Sequence, residues 1–206
     1  MTFPENYFRR MDESDDDIFY EMPRLVVHID DAAIAATTDL YRRYLPSDGD
    51  ILDLMSSWRS HLPEEVAYRS VVGLGLNAVE MHENPQLTDA VVHNLNKNPQ
   101  LPFPDEAFDA CVLTVSVQYL IHPIDVFTEV GRVLRPEAPF ITVFSNRMFP
   151  TKAVAIWQSL DAEGHMQLVE TYYRGAACFD EIEIIDCSHA KGDPLYAVVG
   201  RRMTSL

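Results

Sequence analysis

The chain is short of positive charge. Lysine and arginine number 16 against 32 acidic residues, a formal net charge of −16 over 206 residues. A surface of that sign repels phosphate backbones and anionic headgroups, which argues against nucleic acid and membrane as partners. The basic pairs Arg42-Arg43 and Arg201-Arg202 are short and far apart in sequence. Cysteine is scarce as well. Cys111, Cys178 and Cys187 show neither CxxC nor Cys/His spacing, so the pattern offers no metal site. Cys111 lies in an apolar run and reads as a reduced core thiol. No stretch reaches the roughly 18 apolar residues of a membrane span. The opening MTFPENYFRRMDESDDD lacks the apolar core of a signal peptide. Together these absences lead to the expectation of a cytoplasmic protein.

What remains suffices for one domain with a full core. Apolar residues make up 47% and charged residues 23% of the chain. Repeats, low-complexity linkers and composition breaks are lacking, so residues 1–206 are expected to form a single domain. Within it, 1–18 reads as a mobile acidic tail, 19–47 as a helical lid or brace and 48–206 as the core. The acidic stretch 12–17 reads as a solvated turn or tail. DAAIAATTDLYRRYL brings Ile34, Thr37, Tyr41, Tyr44 and Leu45 near one helical face. Asp30 or Asp31 stands where a side chain can accept from the first-turn amides, and PSDGD ends the helix.

From there strand and helix patterns alternate. Strands are expected near 51–57, 70–76, 90–95, 108–117, 140–145, 178–187 and 194–203. Val126, Phe127, Val130, Val133 and Leu134 carry helical spacing across 123–134, and KAVAIWQSL predicts another helix. The last two strands, joined by SHAKGD, read as a hairpin. Such a series implies an α/β fold with a mainly parallel sheet and an antiparallel element at one side. Ligands of such sheets bind at the carboxyl ends of the strands, near the switch in strand order.

LPFPDEAFDACVL (101–113) and VFTEVGRVLRPEAPFITVFSNR resemble the segments around the fourth and fifth strands of small-molecule class I S-adenosylmethionine-dependent methyltransferases of type 11. ILDL and VVGLGLNAVEM are similar to that family's first and second strands, so the likeness runs in order over roughly residues 50 to 145. The resemblance implies a Rossmann-like methyltransferase fold: a mainly parallel seven-stranded sheet, an antiparallel C-terminal strand and helices on both faces. It also implies S-adenosylmethionine as cofactor and methyl transfer to a small-molecule substrate. Three departures stand out. The family's first loop is glycine-rich, so that backbone can approach the cofactor; here LMSSWRSHLP holds no glycine. Where an acid usually grips the ribose hydroxyls stands Gly75, and where an acid usually accepts from the adenine amino group stands Asn94. Asp53 alone keeps its usual identity.

On this resemblance the cofactor-binding candidates are Asp53, Ser56, Ser57, Trp58, Gly75, Asn77, Asn94, Leu95 and Ser116. Trp58 either packs on the sulfonium or adenine or fills the space of the lost glycines. Asn77 and Glu80 are alternative replacements for the ribose acid, Glu80 being equally readable as an exposed helix residue. The catalytic candidates are Tyr20, His28 and Tyr119, with His61 as a further base or a structural histidine. The substrate candidates are Arg24, Gln118, Asn146 and Arg147; Arg147 suits a carboxylate fork or a surface ion pair. No metal ligand set is expected. Segment 19–31 is expected to cover the strand ends, and removal of 1–18 to leave the fold intact. Two other readings stay open: a lyase or cyclase using the same cofactor, and a non-catalytic binding protein on the same fold.

Overall fold

The structure, a computed structural model, describes residues 3–204. The strands are β1 (Asp50–Leu54), β2 (Ser70–Gly75), β3 (Asp89–Val92), β4 (Ala110–Thr114), β5 (Pro139–Ser145), β6 (Phe179–Asp186) and β7 (Leu195–Arg202). They form one sheet in the order β3-β2-β1-β4-β5-β7-β6. Neighbours from β3 to β5 are parallel, and β7 runs antiparallel to both β5 and β6. The helices are α1 (Asp16–Phe19), α2 (Asp31–Tyr44), α3 (Ala78–His82), α4 (Pro123–Val133), α5 (Ala155–Gln158) and α6 (Ala162–Ala176).

The central strands read as unbroken apolar runs because both of their faces are covered. Alternate residues feed two separate cores. Leu52, Leu54, Cys111, Leu113, Phe140 and Phe144 pack with α4 and α6 around Phe127, Trp157, Tyr172 and Tyr173. Ile51, Ala110, Val112, Ile141 and Val143 pack with α2 around Ala33, Leu40 and Tyr41. The strand order reverses between β1 and β4, and their carboxyl ends open a crevice there.

Several boundaries differ from expectation for identifiable reasons. β1 and β4 stop short because Met55 (φ 55°) and Val115 (φ 43°) turn into the left-handed region. A β-branched residue there is strained. Asp30 caps α2, accepting from the Ala33 amide at 2.9 Å. The buried face of α2 is Ala33, Ala36, Thr37, Leu40 and Tyr41, with Ile34 and Tyr44 only half buried. KAVAIWQSL yields only the single turn α5. The longest helix, α6, is not among the expected elements. Its buried positions Leu168, Val169, Tyr172, Tyr173 and Ala176 do carry helical spacing. Gly164, Thr171, Gly175 and the paired tyrosines are weak helix formers, and packing overrides them.

The acidic N-terminal stretch is not a mobile tail. Lys152 is fully buried (0% exposed) and draws the acids inward. Its Nζ lies 3.3 Å from both Asp16 Oδ1 and Asp12 Oδ2, and donates to the Ser14 carbonyl at 2.6 Å. Asp16, 4% exposed, also pairs with Arg10 at 2.8 Å. Phe3 and Phe8 set their rings against Tyr172 at 5.9 and 6.4 Å. Removing residues 1–18 takes from Lys152 the acids and the Ser14 carbonyl that hold its ammonium. The expected loss is about 3–5 kcal/mol, read by urea denaturation, and Lys152→Met in the truncated chain should restore most of it. A truncation as stable as the full chain would refute this role of the segment.

Candidate active site

A cavity of about 310 Å³ opens at the carboxyl ends of β1, β2 and β4. Every cofactor-binding candidate lines it: Asp53, Ser56, Ser57, Trp58, Gly75, Asn77, Asn94, Leu95 and Ser116. Tyr20, His28, Tyr119, Arg24 and Arg147 line it too, as do Glu80 and His61. Gln118 and Asn146 do not. Gln118 is buried and donates to the carbonyls of Val115 and Arg147, bracing two loops. Asn146 is exposed outside the cavity.

The glycine-free loop after β1 follows its own course. Left-handed Met55 begins it, and the Ser56 amide donates to the Leu74 carbonyl at 2.8 Å. Ser56 and Ser60 each donate a hydroxyl to Asp53 Oδ2 at 2.6 Å. Asn84 ties Ser60 Oγ and the Ser57 carbonyl at 2.8 and 2.9 Å. Asp53 is 3% exposed, and burial pushes its pKa up to about 6 against the lowering pull of the two serines. This course carries the loop over the end of β2. A Cβ on Gly75 would stand 2.3 Å from the Ser56 carbonyl oxygen. Gly75 is thus not merely a lost acid; no side chain fits there while the loop keeps this path.

Polar groups expected to meet a nucleoside hold segment 19–31 over the strand ends instead. Asn77 caps α3, accepting from the Val79 and Glu80 amides at 3.0 Å, and donates to the Tyr20 carbonyl at 2.8 Å. Both ends of its amide are used, which excludes it as a free ribose ligand. Glu80 is buried rather than exposed, and accepts from the Arg24 amide at 2.7 Å and the Ser57 hydroxyl at 2.5 Å. Each of its oxygens keeps a lone pair toward other donors. Asn94 turns its carbonyl onto the Asn96 amide at 3.0 Å and its amide onto Asp17 at 2.7 Å. The adenine contact expected of Asn94 therefore has no free acceptor atom committed to it. The Trp58 indole donates to the Val26 carbonyl at 2.9 Å, with the Arg59 guanidinium stacked on its ring at 3.9 Å.

At the ends of β4 and β5 the cavity is aromatic. Phe149, not singled out in the sequence, gathers Tyr20, Tyr119 and His28 at centroid distances of 6.5, 6.1 and 5.2 Å. An aromatic just beyond the polar Ser-Asn-Arg run after the fifth strand was the available signal. The Tyr119 hydroxyl accepts from the Phe149 amide at 2.8 Å. Burial raises the pKa of Tyr20 and of Tyr119, so both phenols stay protonated. Partial burial lowers that of His28, and burial with Arg59 nearby takes His61 down to about 4. Both imidazoles are then neutral at pH 7 and able to accept a proton. Arg147 is engaged with Asp193 at 2.6 Å, as a surface ion pair. Ser116 is 9% exposed, and its hydroxyl has no partner.

Two outcomes follow from the loop. Gly75→Ala should cost about 2 kcal/mol or more by overpacking against backbone, and Gly75→Asp should cost more without creating a ribose site; thermal melts decide. Asp53 holds a proton in the native state between its ordinary 3.8 and about 6, where the unfolded chain has lost it. Its contribution is full below the lower value and falls away as pH rises through the upper one, by about 3 kcal/mol in all. Asp53→Asn should remove that slope. The check is the difference in unfolding free energy between variant and parent from pH 4 to 8; a constant difference would contradict the shift.

The chain was compared with known proteins. A family model described as a methyltransferase domain matches residues 61–142. Among curated proteins, the biotin biosynthesis bifunctional protein BioHC of Teredinibacter turnerae is 31% identical over 75 residues. That match spans 35% of this chain and only 13% of BioHC. A solved methyltransferase from Mesorhizobium loti superposes with TM-score 0.56 at 15% identity, covering 82% of this chain and 98% of its own. One from Aquifex aeolicus gives 0.57 at 14% identity, covering 84% and 92%. The [4+2]-cyclase SpnF gives 0.61 at 16% identity, covering 82% and 80%. The chain thus shares the Rossmann-like fold of solved S-adenosylmethionine-dependent methyltransferases, and its residues 61–142 are similar to a methyltransferase domain.

Proposed function

We propose that the protein transfers a methyl group from S-adenosylmethionine to a small-molecule acceptor. The observation that carries this reading is the cavity at the reversal of strand order, enclosed by segment 19–31 and backed by Asp53, Glu80 and Ser116. The donor set suits the cofactor in part. Glu80 offers acceptor lone pairs to ribose hydroxyls, and Leu95 and Met55 offer apolar wall to a purine. Asp53 and its two serines fix the β1 loop, whose backbone borders the same space. When bound, the cofactor supplies an electrophilic methyl group on a sulfonium. The residues then contribute alignment and exclusion of water, from which most of the rate of such a displacement comes. His28, neutral at pH 7 and at the aromatic wall, is the group suited to take a proton from the acceptor. The −16 charge supports a small acceptor over nucleic acid or an anionic membrane.

A second reading has a specific motive. The blocked place at Gly75 and the engaged amides of Asn77 and Asn94 favour a protein that binds a ligand on this fold without methyl transfer. SpnF, a [4+2]-cyclase of the same fold, is one precedent for other chemistry. S-adenosylhomocysteine separates the readings. It should raise the melting temperature of the full chain, by an amount equivalent to about 2.7 kcal/mol at a hundredfold excess over Kd. Glu80→Gln and Asp53→Ala should reduce that shift. No shift at millimolar ligand would transfer the assignment to a ligand-binding protein that does not use this cofactor.

A further inference from the structure

We propose that Arg24 and Ser116 form a carboxylate-binding subsite within the cavity, a proposal that rests on the cavity being a ligand site. The Arg24 guanidinium is held by aromatic faces rather than by an acid. Its central carbon lies 4.5 Å from the Phe19 ring, 5.3 Å from Phe149 and 5.5 Å from Tyr20. Nη2 donates to the Phe19 carbonyl at 2.9 Å. Nη1 is buried and has no partner. In a chain with 32 acidic residues, no carboxylate among the described residues pairs with this guanidinium.

The acids that share the cavity are committed elsewhere. Asp16 is paired with Arg10 and Lys152. Glu80 accepts from the backbone amide of Arg24 itself and from Ser57. Asp53 is held by Ser56 and Ser60 and half neutral near pH 6. Among the buried side-chain polar atoms of the residues lining the cavity, those without a partner are Arg24 Nη1 and the Ser116 hydroxyl. Both donate, and a buried donor left unmet is costly. An arginine fixed by stacking presents its fork in a set plane, the geometry that recognises a carboxylate. Stacking fixes the plane without neutralising the charge, so the site stays selective for an anion.

That carboxylate can belong to the amino-acid end of the cofactor or to the acceptor, and one set of titrations distinguishes them. Benzoate and its neutral counterpart benzamide probe the cavity directly, by NMR titration of the full-length protein. Benzoate should bind at least tenfold tighter. Arg24→Gln should erase that preference, Arg24→Lys should keep part of it, and Ser116→Ala should weaken benzoate several-fold at an unchanged melting temperature. In the second arm, S-adenosylhomocysteine is compared with its decarboxylated analogue. If Arg24→Gln weakens the first at least tenfold and leaves the second unchanged, the carboxylate is the cofactor's. If it leaves both unchanged while benzoate falls, the carboxylate is the acceptor's. Arg24-dependent benzoate binding without any S-adenosylhomocysteine binding would sink the methyl-transfer reading and keep the subsite. No Arg24-dependent preference for a carboxylate in either arm overturns the proposal. So does an Arg24-dependent site indifferent to Ser116→Ala, since the pair is what is proposed. Ser116→Ala keeps the test open should Arg24→Gln fail to fold.

Discussion

The Ser56 carbonyl occupies the space into which any side chain at position 75 would project. The rest of the site is arranged around that constraint. A glycine-rich loop leaves room beside the second strand for an acid; a loop built on Met55, Ser56 and Ser57 does not. It is fastened from beneath by Asp53, whose carboxylate is solvated by two serine hydroxyls instead of water. It is fastened from above by Glu80 and Asn84. Loop and glycine are one device: with the loop in this place, only glycine can end β2.

The second consequence is the role of the N-terminal segment. Because the loop displaces the usual ligand acid, the polar side chains at the ends of β2 and β3 are free to bind chain instead of nucleoside. Asn77, Glu80, Asn94 and the Trp58 indole each reach a backbone or side-chain atom between Asp17 and Val26. The same segment is anchored further back by Lys152, a cation buried among acids. Cover and cavity are therefore held by charge and hydrogen bonds as well as by the aromatic contacts of Phe19 and Tyr20 with Phe149. Met22, Leu25 and Val26 in fact remain exposed on the outer surface. The interior is left with an aromatic wall around Phe149 and two donors without acceptors.

Much of the architecture was legible in the residues. Nearly unbroken apolar runs in ILDL, FDACVL and FITVF mark strands buried on both faces, and these are β1, β4 and β5. The Asp30 cap and the spacing in 123–134 marked their helices. The strand limits were not legible, because Met55 and Val115 leave the extended region against their own preference. Helix α6 was hidden by weak local propensity and is supported by its packing against α4. The burial of the acidic tail is not legible for a related reason: a run of aspartates is normally solvated, and the distant Lys152 makes burial of Asp16 favourable.

For the site, the sequence determined which residues gather at the strand ends. Chain order and the parallel sheet bring Asp53, Gly75, Asn94, Ser116 and Tyr119 to one edge whatever their roles. It could not determine which of their polar atoms stay free. Hydrogen-bond partners 50 to 80 residues away in sequence decide that, as Asn77 with Tyr20, Glu80 with Arg24 and Asn94 with Asp17 illustrate. Gln118 and Arg147 look like substrate ligands on paper, and the fold spends one on two carbonyls and the other on Asp193. Pattern fixes position along an element, since it follows from local geometry. Availability for chemistry is a property of what lies across the space, and only the tertiary structure supplies that.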